Sequence, residues 1–311
     1  LIAPELEVVD LRQSDKETQE KVLFDKSCFY INYQWSLTEW PLHRFTLYQL
    51  NDDSYELLFC NHHLISDGLS NQQIMREFVL LYRAIETGQT AQLPLAVTTS
   101  EFKQLVKRIN DWHEPEQEQQ FKQFSKQQGR NSFFWDPLKT GKPSNHFADS
   151  RFYFYSVNQQ TTEALLTATR VWRLPMNTLL LGAYLKTVMS LVPMDETVII
   201  NIPTSGRVYP QVDASNIIAC FAQNLSLSFE PDLIKGSWTA LLKNINAQIQ
   251  HAIAAAYDKT QIRQTALAIQ KTPLQQGKVV EPAASLVRAS LKSNLYMPYT
   301  GQTHIEKGFA S

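Results

Sequence analysis

Two adjacent histidines, His62 and His63, open the segment His62-His63-Leu64-Ile65-Ser66-Asp67-Gly68. An imidazole titrates near neutral pH, so it can accept a proton there. Consecutive side chains at a strand end point to opposite faces. The pair therefore cannot easily ligate one metal, and its spacing matches neither HExxH nor the Cys/His zinc patterns. No metal is expected. One histidine should face the interior or a cleft while the other packs. Asp67, on the returning loop, is placed to hold the local geometry, and Gly68 permits backbone conformations that other residues adopt only at a cost. Ser66 has no Gly-x-Ser-x-Gly elbow around it, which argues against a serine hydrolase. Residue types and spacing leave two readings open here. One is a proton-handling histidine; the other is a pair of polar residues at a strand end, followed by a common Asp-Gly turn.

The flanking elements explain how such a loop would be held. Residues 44–50 and 55–60 are two strand-like runs separated by the polar cluster Asn51-Asp52-Asp53-Ser54, a hairpin pattern. The second run leads directly into His62 and His63. After the loop, Ser70 with Gln73 three residues on reads as a capping box. Ile74, Phe78, Leu81, Tyr82 and Ile85 then recur at helical spacing as one apolar face, and Gly88 is a suitable stop. The predicted local order is strand, reactive loop, helix.

Beyond it, residues 101–130 place Phe102, Leu105, Ile109 and Trp112 at helical spacing, with Pro115 either breaking one helix or starting another. Residues 136–150 collect Pro, Gly, Ser and Asn and read as a linker. The predicted lobes are 1–140, carrying the histidine motif, and 141–311. In the second, residues 151–157, 197–202 and 224–229 read as strands, the last as an alternating, half-buried one. Residues 161–172 and 237–256 read as helices, the latter with Trp238, Leu241, Ile245, Ile249 and Ile253 on one face. A further helix, capped by Asn177, runs to Leu191 with Thr178, Leu181, Leu185 and Val188 on one face. This vocabulary predicts an α/β protein.

Composition narrows the class. At 43% hydrophobic and 19% charged residues, the 311-residue chain reads as a soluble globular protein. Its net charge of −1 argues against nucleic-acid binding. The apolar runs are too short to cross a membrane. Cys28, Cys60 and Cys220 are far apart and odd in number; Cys60 and Cys220, lying in apolar runs, read as small buried hydrophobes in a reducing compartment. With neither an initiator Met nor a signal peptide, and starting mid-pattern, the chain is expected to be a cytoplasmic fragment.

The segment FCNHHLISDGLS resembles the HHxxxDG signature of condensation domains. These belong to the chloramphenicol-acetyltransferase-like acyltransferases and include the condensation domains of nonribosomal peptide synthetases. Pro41-Leu42-His43-Arg44 resembles the family's stretch before the motif. Ile202-Pro203-Thr204-Ser205-Gly206-Arg207 looks like its G-x-P-x-x-G-R loop, and the segment from Ile218 to Leu225 is similar to G-x-F-V-N-T-L. Ala219 replaces the usual Gly, Gln223-Asn224 stand for Asn-Thr, and a later HQDxPFE motif is not recognisable in residues 257–275. Two motifs that precede HHxxxDG in the family are absent. Heterocyclisation relatives carry aspartates in place of the histidines, so the intact pair fits condensation.

The resemblance implies a two-lobed chloramphenicol-acetyltransferase-like fold, each lobe a mixed sheet with flanking helices. It implies an amide- or ester-forming acyltransferase of nonribosomal peptide or polyketide-type biosynthesis. Donor and acceptor would arrive on the 4'-phosphopantetheine arms of two carrier protein domains, with adenylation or ketosynthase modules as neighbours and no cofactor bound by the domain itself. His63 is then the residue that accepts the amine proton or positions the amine. His62 and Asp67 orient the loop, and Gly68 lets backbone approach the thioester oxygen. Ser66, Arg207 and Asn224 line the substrate tunnel. Two alternatives remain: a free-standing acyl-coenzyme A-dependent O-acyltransferase of the same superfamily, and a degenerate module that only recruits partners.

Overall fold

The computed structural model describes residues 5–111, 115–127, 155–192, 195–209, 212–214, 216–257, 260, 295 and 297–298. The predicted linker at 136–150, Trp112, residues 151–154 and nearly all of 258–275 lie outside them. The chain divides into two compact units. The first comprises residues 5–71, 155–156 and the short segment Ile218–Cys220; the second holds the other described residues.

In the first unit, β1 (Leu6–Asp10) runs parallel to β2 (His43–Gln49), which pairs antiparallel with β3 (Tyr55–Asn61). The hairpin is the one expected. The sequence reading did not anticipate β1 or the helix α1 (Lys16–Ile31) that connects it to β2. A parallel pair needs such a crossover. Asp15 caps α1 by accepting from Thr18 N at 2.8 Å. Along the β2 region Leu42, Thr46 and Tyr48 are buried, in keeping with the two-residue period of a strand. From α1, Tyr30 is buried with its hydroxyl 3.0 Å from Thr46 Oγ1, which in turn donates to Glu7 Oε2 on β1. Gln19 on the same helix donates to the carbonyls of Leu11, Ser14 and Leu50. Side-chain hydrogen bonds thus tie helix to sheet where buried apolar area is small.

The helix after the motif, α2, spans Gly68–Thr87. Its end is a Schellman arrangement: Gly88, at φ 67°, donates to Ile85 O, and Gln89 donates to Ala84 O. Its apolar stripe is largely uncovered. Phe78, Leu81 and Tyr82 are well exposed, and Ile85 is 81% exposed. The 3.6 period records an apolar face, but periodicity cannot say what covers it.

In the second unit, α3 (Thr99–Asp111) is followed by α4 (Pro115–Gln127), which Pro115 starts. Next come α5 (Gln159–Trp172) and α6 (Met176–Leu191). Two antiparallel strands, β4 (Val198–Thr204) and β7 (Gln223–Phe229), enclose the short pair β5 (Val208–Tyr209) and β6 (Val212–Asp213). The order ends with α7 (Pro231–Lys235) and α8 (Trp238–Ala254). On the other side of β4, Asn201 exchanges backbone hydrogen bonds with Leu295 and Met297.

Thr178, Leu181, Leu185 and Val188 of α6 are all buried, as the spacing predicted. The helix is not capped by Asn177, however; Pro175 takes that place and makes no side-chain cap. Proline fits a helix start because its φ is preset and its missing N–H is not needed there. In α8, Leu241, Ile245 and Ile249 are buried, whereas Trp238 and Ile253 at the two ends are exposed. β7 is buried on both faces rather than half-buried. Its Leu225 and Leu227 join Ile200 of β4 and Leu241, Leu242 and Ile245 of α8 in one core. Its Ser226 satisfies the hydroxyl it brings inside by donating to Asn201 Oδ1 at 2.8 Å. Alternation of Ser and Leu therefore marks paired polar groups in this strand, not a wet face.

Candidate active site

The strand-to-helix turn is built by short local bonds. At the end of β3 the His62 N–H donates to Leu42 O at 2.9 Å, and Ile65 N donates to His62 O at 3.1 Å, closing a turn over His63 and Leu64. The His62 ring is also engaged: its Nδ1 accepts from Leu64 N at 3.0 Å, and Trp35 packs against it edge-on, with centroids 6.3 Å apart. An Nδ1 that accepts is unprotonated, so the neutral His62 ring carries its hydrogen on Nε2. His62 is half-buried and His63 is exposed. The two histidines lie beyond the end of β3, so it is the turn over His63 and Leu64, and not the strand alternation expected from the sequence, that separates them.

Asp67 is 3% exposed. Its Oδ1 accepts from Ser70 N at 2.8 Å and its carbonyl accepts from Asn71 N at 2.9 Å, so Asp67, not Ser70, is the N-cap of α2. Ser70 lies three residues inside the helix, fully buried, with its hydroxyl turned to Ala219. It donates to Ala219 O at 2.8 Å and stands 3.1 Å from Ala219 N, which donates to it. Asn61 Nδ2, at the end of β3, donates to Asn71 Oδ1 at 2.7 Å and closes the turn from below. Gly68 is the first helical residue and is not among those with positive φ, so the turn does not use its backbone freedom as expected. The Ser66 hydroxyl is buried, with no hydrogen-bond partner among the described residues.

Cys220 is exposed, not buried as its apolar surroundings suggested, and Cys60 is half-buried. The Cys220 Sγ stands 3.4 Å from His63 Nδ1. Spacing offered no sign of this contact, because 157 residues separate the two side chains. When Nδ1 carries the ring hydrogen and donates to sulfur, Nε2 is left to accept a proton from another molecule; when Nε2 carries it, Nδ1 accepts from the thiol.

Arg207 and Asn224 belong to the second unit. Arg207 is buried; its Nη1 donates to Ala214 O at 2.8 Å and Ile217 O at 2.6 Å, and its guanidinium lies over the Phe221 ring. Beside it Gly206 has φ 59°, and a Cβ there would collide with the Phe221 carbonyl oxygen. The Ile202–Arg207 loop is therefore a clamp on the segment leading into β7. Asn224 is half-buried and lies opposite Pro203 in the β4–β7 ladder. Among the described residues no group of three or more His, Cys, Asp or Glu side chains could hold a metal ion.

A buried aspartate thus caps a helix of a mixed α/β scaffold, and an exposed histidine stands in the turn before it. Residues 3–280 match the Condensation domain family, and the chain belongs to that family. Tyrocidine synthase 3 of Brevibacillus parabrevis is 27% identical over 224 residues, covering 70% of this chain and 3% of that protein. Gramicidin S synthase 2 of Brevibacillus brevis is 26% identical over 223 residues, covering 69% of this chain and 4% of that protein. The chain thus spans only 3% and 4% of the length of these two curated relatives.

Among solved structures, the four-domain nonribosomal peptide synthetase holo-AB3403 superposes with a TM-score of 0.66 at 14% identity, over 91% of this chain and 20% of that one. VibH, a condensation enzyme, gives 0.60 at 16%, over 90% and 63%. The EpoB cyclization-docking bidomain gives 0.65 at 14%, over 96% and 56%. The fold is the α/β, chloramphenicol-acetyltransferase-like fold of condensation domains.

Proposed function

We propose that this chain carries the bond-forming centre of a condensation-type acyltransferase in nonribosomal peptide or polyketide-type biosynthesis. The observation that carries the reading is the exposed His63 imidazole, with Nε2 free of protein partners among the described residues, on a turn braced by His62 and Asp67. The acceptor amine attacks the carbonyl carbon of a thioester. A C–N bond forms, the C–S bond breaks, and the amine proton passes to His63, which hands it to the departing thiolate so that the carrier leaves as the thiol. An acceptor hydroxyl would give an ester by the same route. General-base help is typically worth about 10²–10⁴-fold, and holding the amine in line supplies much of the remainder.

Because the same fold serves the cyclization relative, the fold does not choose the reaction; the intact His62-His63 pair favours condensation. In this reading donor and acceptor are presented on 4'-phosphopantetheine by carrier domains, in the cytoplasm, with adenylation or ketosynthase modules in the same assembly. Residues 1–140 and 141–311 supply its two lobes. By the family resemblance Ser66 and Gly68 are assigned to the substrate path in the first unit, and Arg207 and Asn224 in the second, where Arg207 acts by holding its own loop.

The test is amide formation by the parent protein from a donor-loaded carrier and its acceptor, followed by mass spectrometry. His63→Ala should lower turnover by about 10²-fold or more while donor-carrier binding persists. His62→Ala should impair folding yet retain part of the turnover in the soluble fraction. Wild-type turnover in His63→Ala would refute the proton-transfer role. Efficient use of free acyl-coenzyme A with a hydroxyl acceptor would instead favour the O-acyltransferase alternative. Carrier binding with no product under any donor would favour a recruitment module.

A further inference from the structure

We propose that Cys220 and His63 form a nucleophilic thiol–imidazole pair, which makes Cys220 a covalent modification site for soft carbon electrophiles. Three observations support the pair. The Cys220 Sγ and His63 Nδ1 are 3.4 Å apart, within the reach at which an imidazole can take a thiol proton. Both side chains are exposed, so an electrophile can reach the sulfur. The preceding residue, Ala219, is held in both directions by Ser70, in the first turn of α2, which fixes the chain at Cys220 against the strand-to-helix turn that carries His63. The other two thiols differ. Cys28 and Cys60 are only half-exposed, and burial pushes the Cys60 thiol up, away from the reactive thiolate.

The step balances without any further reagent. Cys220 Sγ bonds to the electrophilic carbon, the leaving group departs with its electron pair, and the thiol proton passes to His63 Nδ1. A haloacetamide gives a thioether and a halide ion; an acyl thioester gives an acyl-cysteine and a free thiol. Either adduct sits against the imidazole and blocks it. The pairing stands on geometry alone and does not depend on the acyl-transfer reading.

The protein is treated with iodoacetamide at about pH 6 beside N-acetylcysteine in the same tube, and peptide mapping follows each cysteine over time. Native Cys220 should react about fivefold faster than the free thiol, because His63 Nδ1 stands within reach to take the thiol proton as the sulfur attacks. In His63→Gln the rate should fall to that of N-acetylcysteine or below, with Cys28 and Cys60 still slow. A native Cys220 no faster than the free thiol would overturn the proposal. So would an unchanged rate in a folded His63→Gln protein. If His63→Gln unfolds, Cys28 and Cys60 will label quickly, and the comparison of native Cys220 with the free thiol then decides by itself.

Discussion

The side-chain oxygen of Ser70 holds both the carbonyl and the N–H of Ala219, a residue 149 positions further along the chain. One buried hydroxyl thus fastens the segment Ile218–Cys220 to the first turn of the helix that follows His63.

Replacing Ser70 by Ala should therefore do more than remove a helix-surface hydroxyl. It leaves two backbone groups of Ala219 without that partner, at a cost of about 1–3 kcal/mol. Thermal unfolding should show a drop of several degrees. Cys220 should also lose its enhanced alkylation, because its segment is no longer held. Unchanged melting would mean that water replaces the hydroxyl.

For Asp67, the buried cap predicts a ranking of substitutions. Asp67→Ala removes the acceptor of the Ser70 N–H and should destabilise the fold by about 1–2 kcal/mol. Asp67→Asn keeps an acceptor oxygen and should lie between Ala and wild type. Calorimetric melting of the three proteins checks the order. Equal melting temperatures with turnover abolished in both variants would move Asp67 from scaffold to chemistry.

At Gly206, an alanine meets both a left-handed backbone and the Phe221 carbonyl. The expected loss is about 2–3 kcal/mol or more, with the Arg207 clamp displaced. Circular dichroism melting of Gly206→Ala, compared with Gly88→Ala as a positive-φ site with open space around it, separates collision from backbone strain. A Gly206 variant no worse than the Gly88 variant would contradict the close approach.

Glu7 links β1 to α1 through Lys26 at 2.8 Å and receives the Thr46 hydroxyl at 3.0 Å. The hydrogen bond from Lys26 is the largest cause holding the Glu7 carboxyl below its ordinary value of 4.5, with Thr46 adding to it against burial. A depressed folded value means that the stabilisation is present above 4.5 and is lost as pH falls through the folded value. The pair is partly exposed, so its worth is about 0.2–1 kcal/mol. Urea midpoints of wild type and Glu7→Gln should differ at about pH 6 and converge as the pH is taken down below 4.5. Parallel midpoints over that range would exclude the linkage.

Much of the scaffold could be read from the sequence because its signals are local. Hairpin spacing located β2 and β3, the apolar period located α2, α6 and α8, and HHxxxDG marked the turn. The misassignments share a physical cause. Asp67 and Ser70 are both acceptable caps, and only the direction of the Ser70 hydroxyl, toward Ala219, decided between them. Asn177 has better capping chemistry than Pro175, but the chain enters α6 through the proline. The Leu-Ser alternation of β7 could not reveal that Asn201, on the neighbouring strand, satisfies one of its hydroxyls.

By itself, then, the sequence determined the family and the strand-loop-helix order around His63, since caps, periods and motif spacing are properties of neighbouring residues. Tertiary structure alone decided which groups surround that imidazole. Cys220 lies 3.4 Å from His63 through a fold that joins residues 157 positions apart, and such a contact leaves no trace in local composition. The exposure of Ile85 was decided in the same way: a helix's pattern states which face is apolar, and only the packing of the rest of the chain states whether anything covers it.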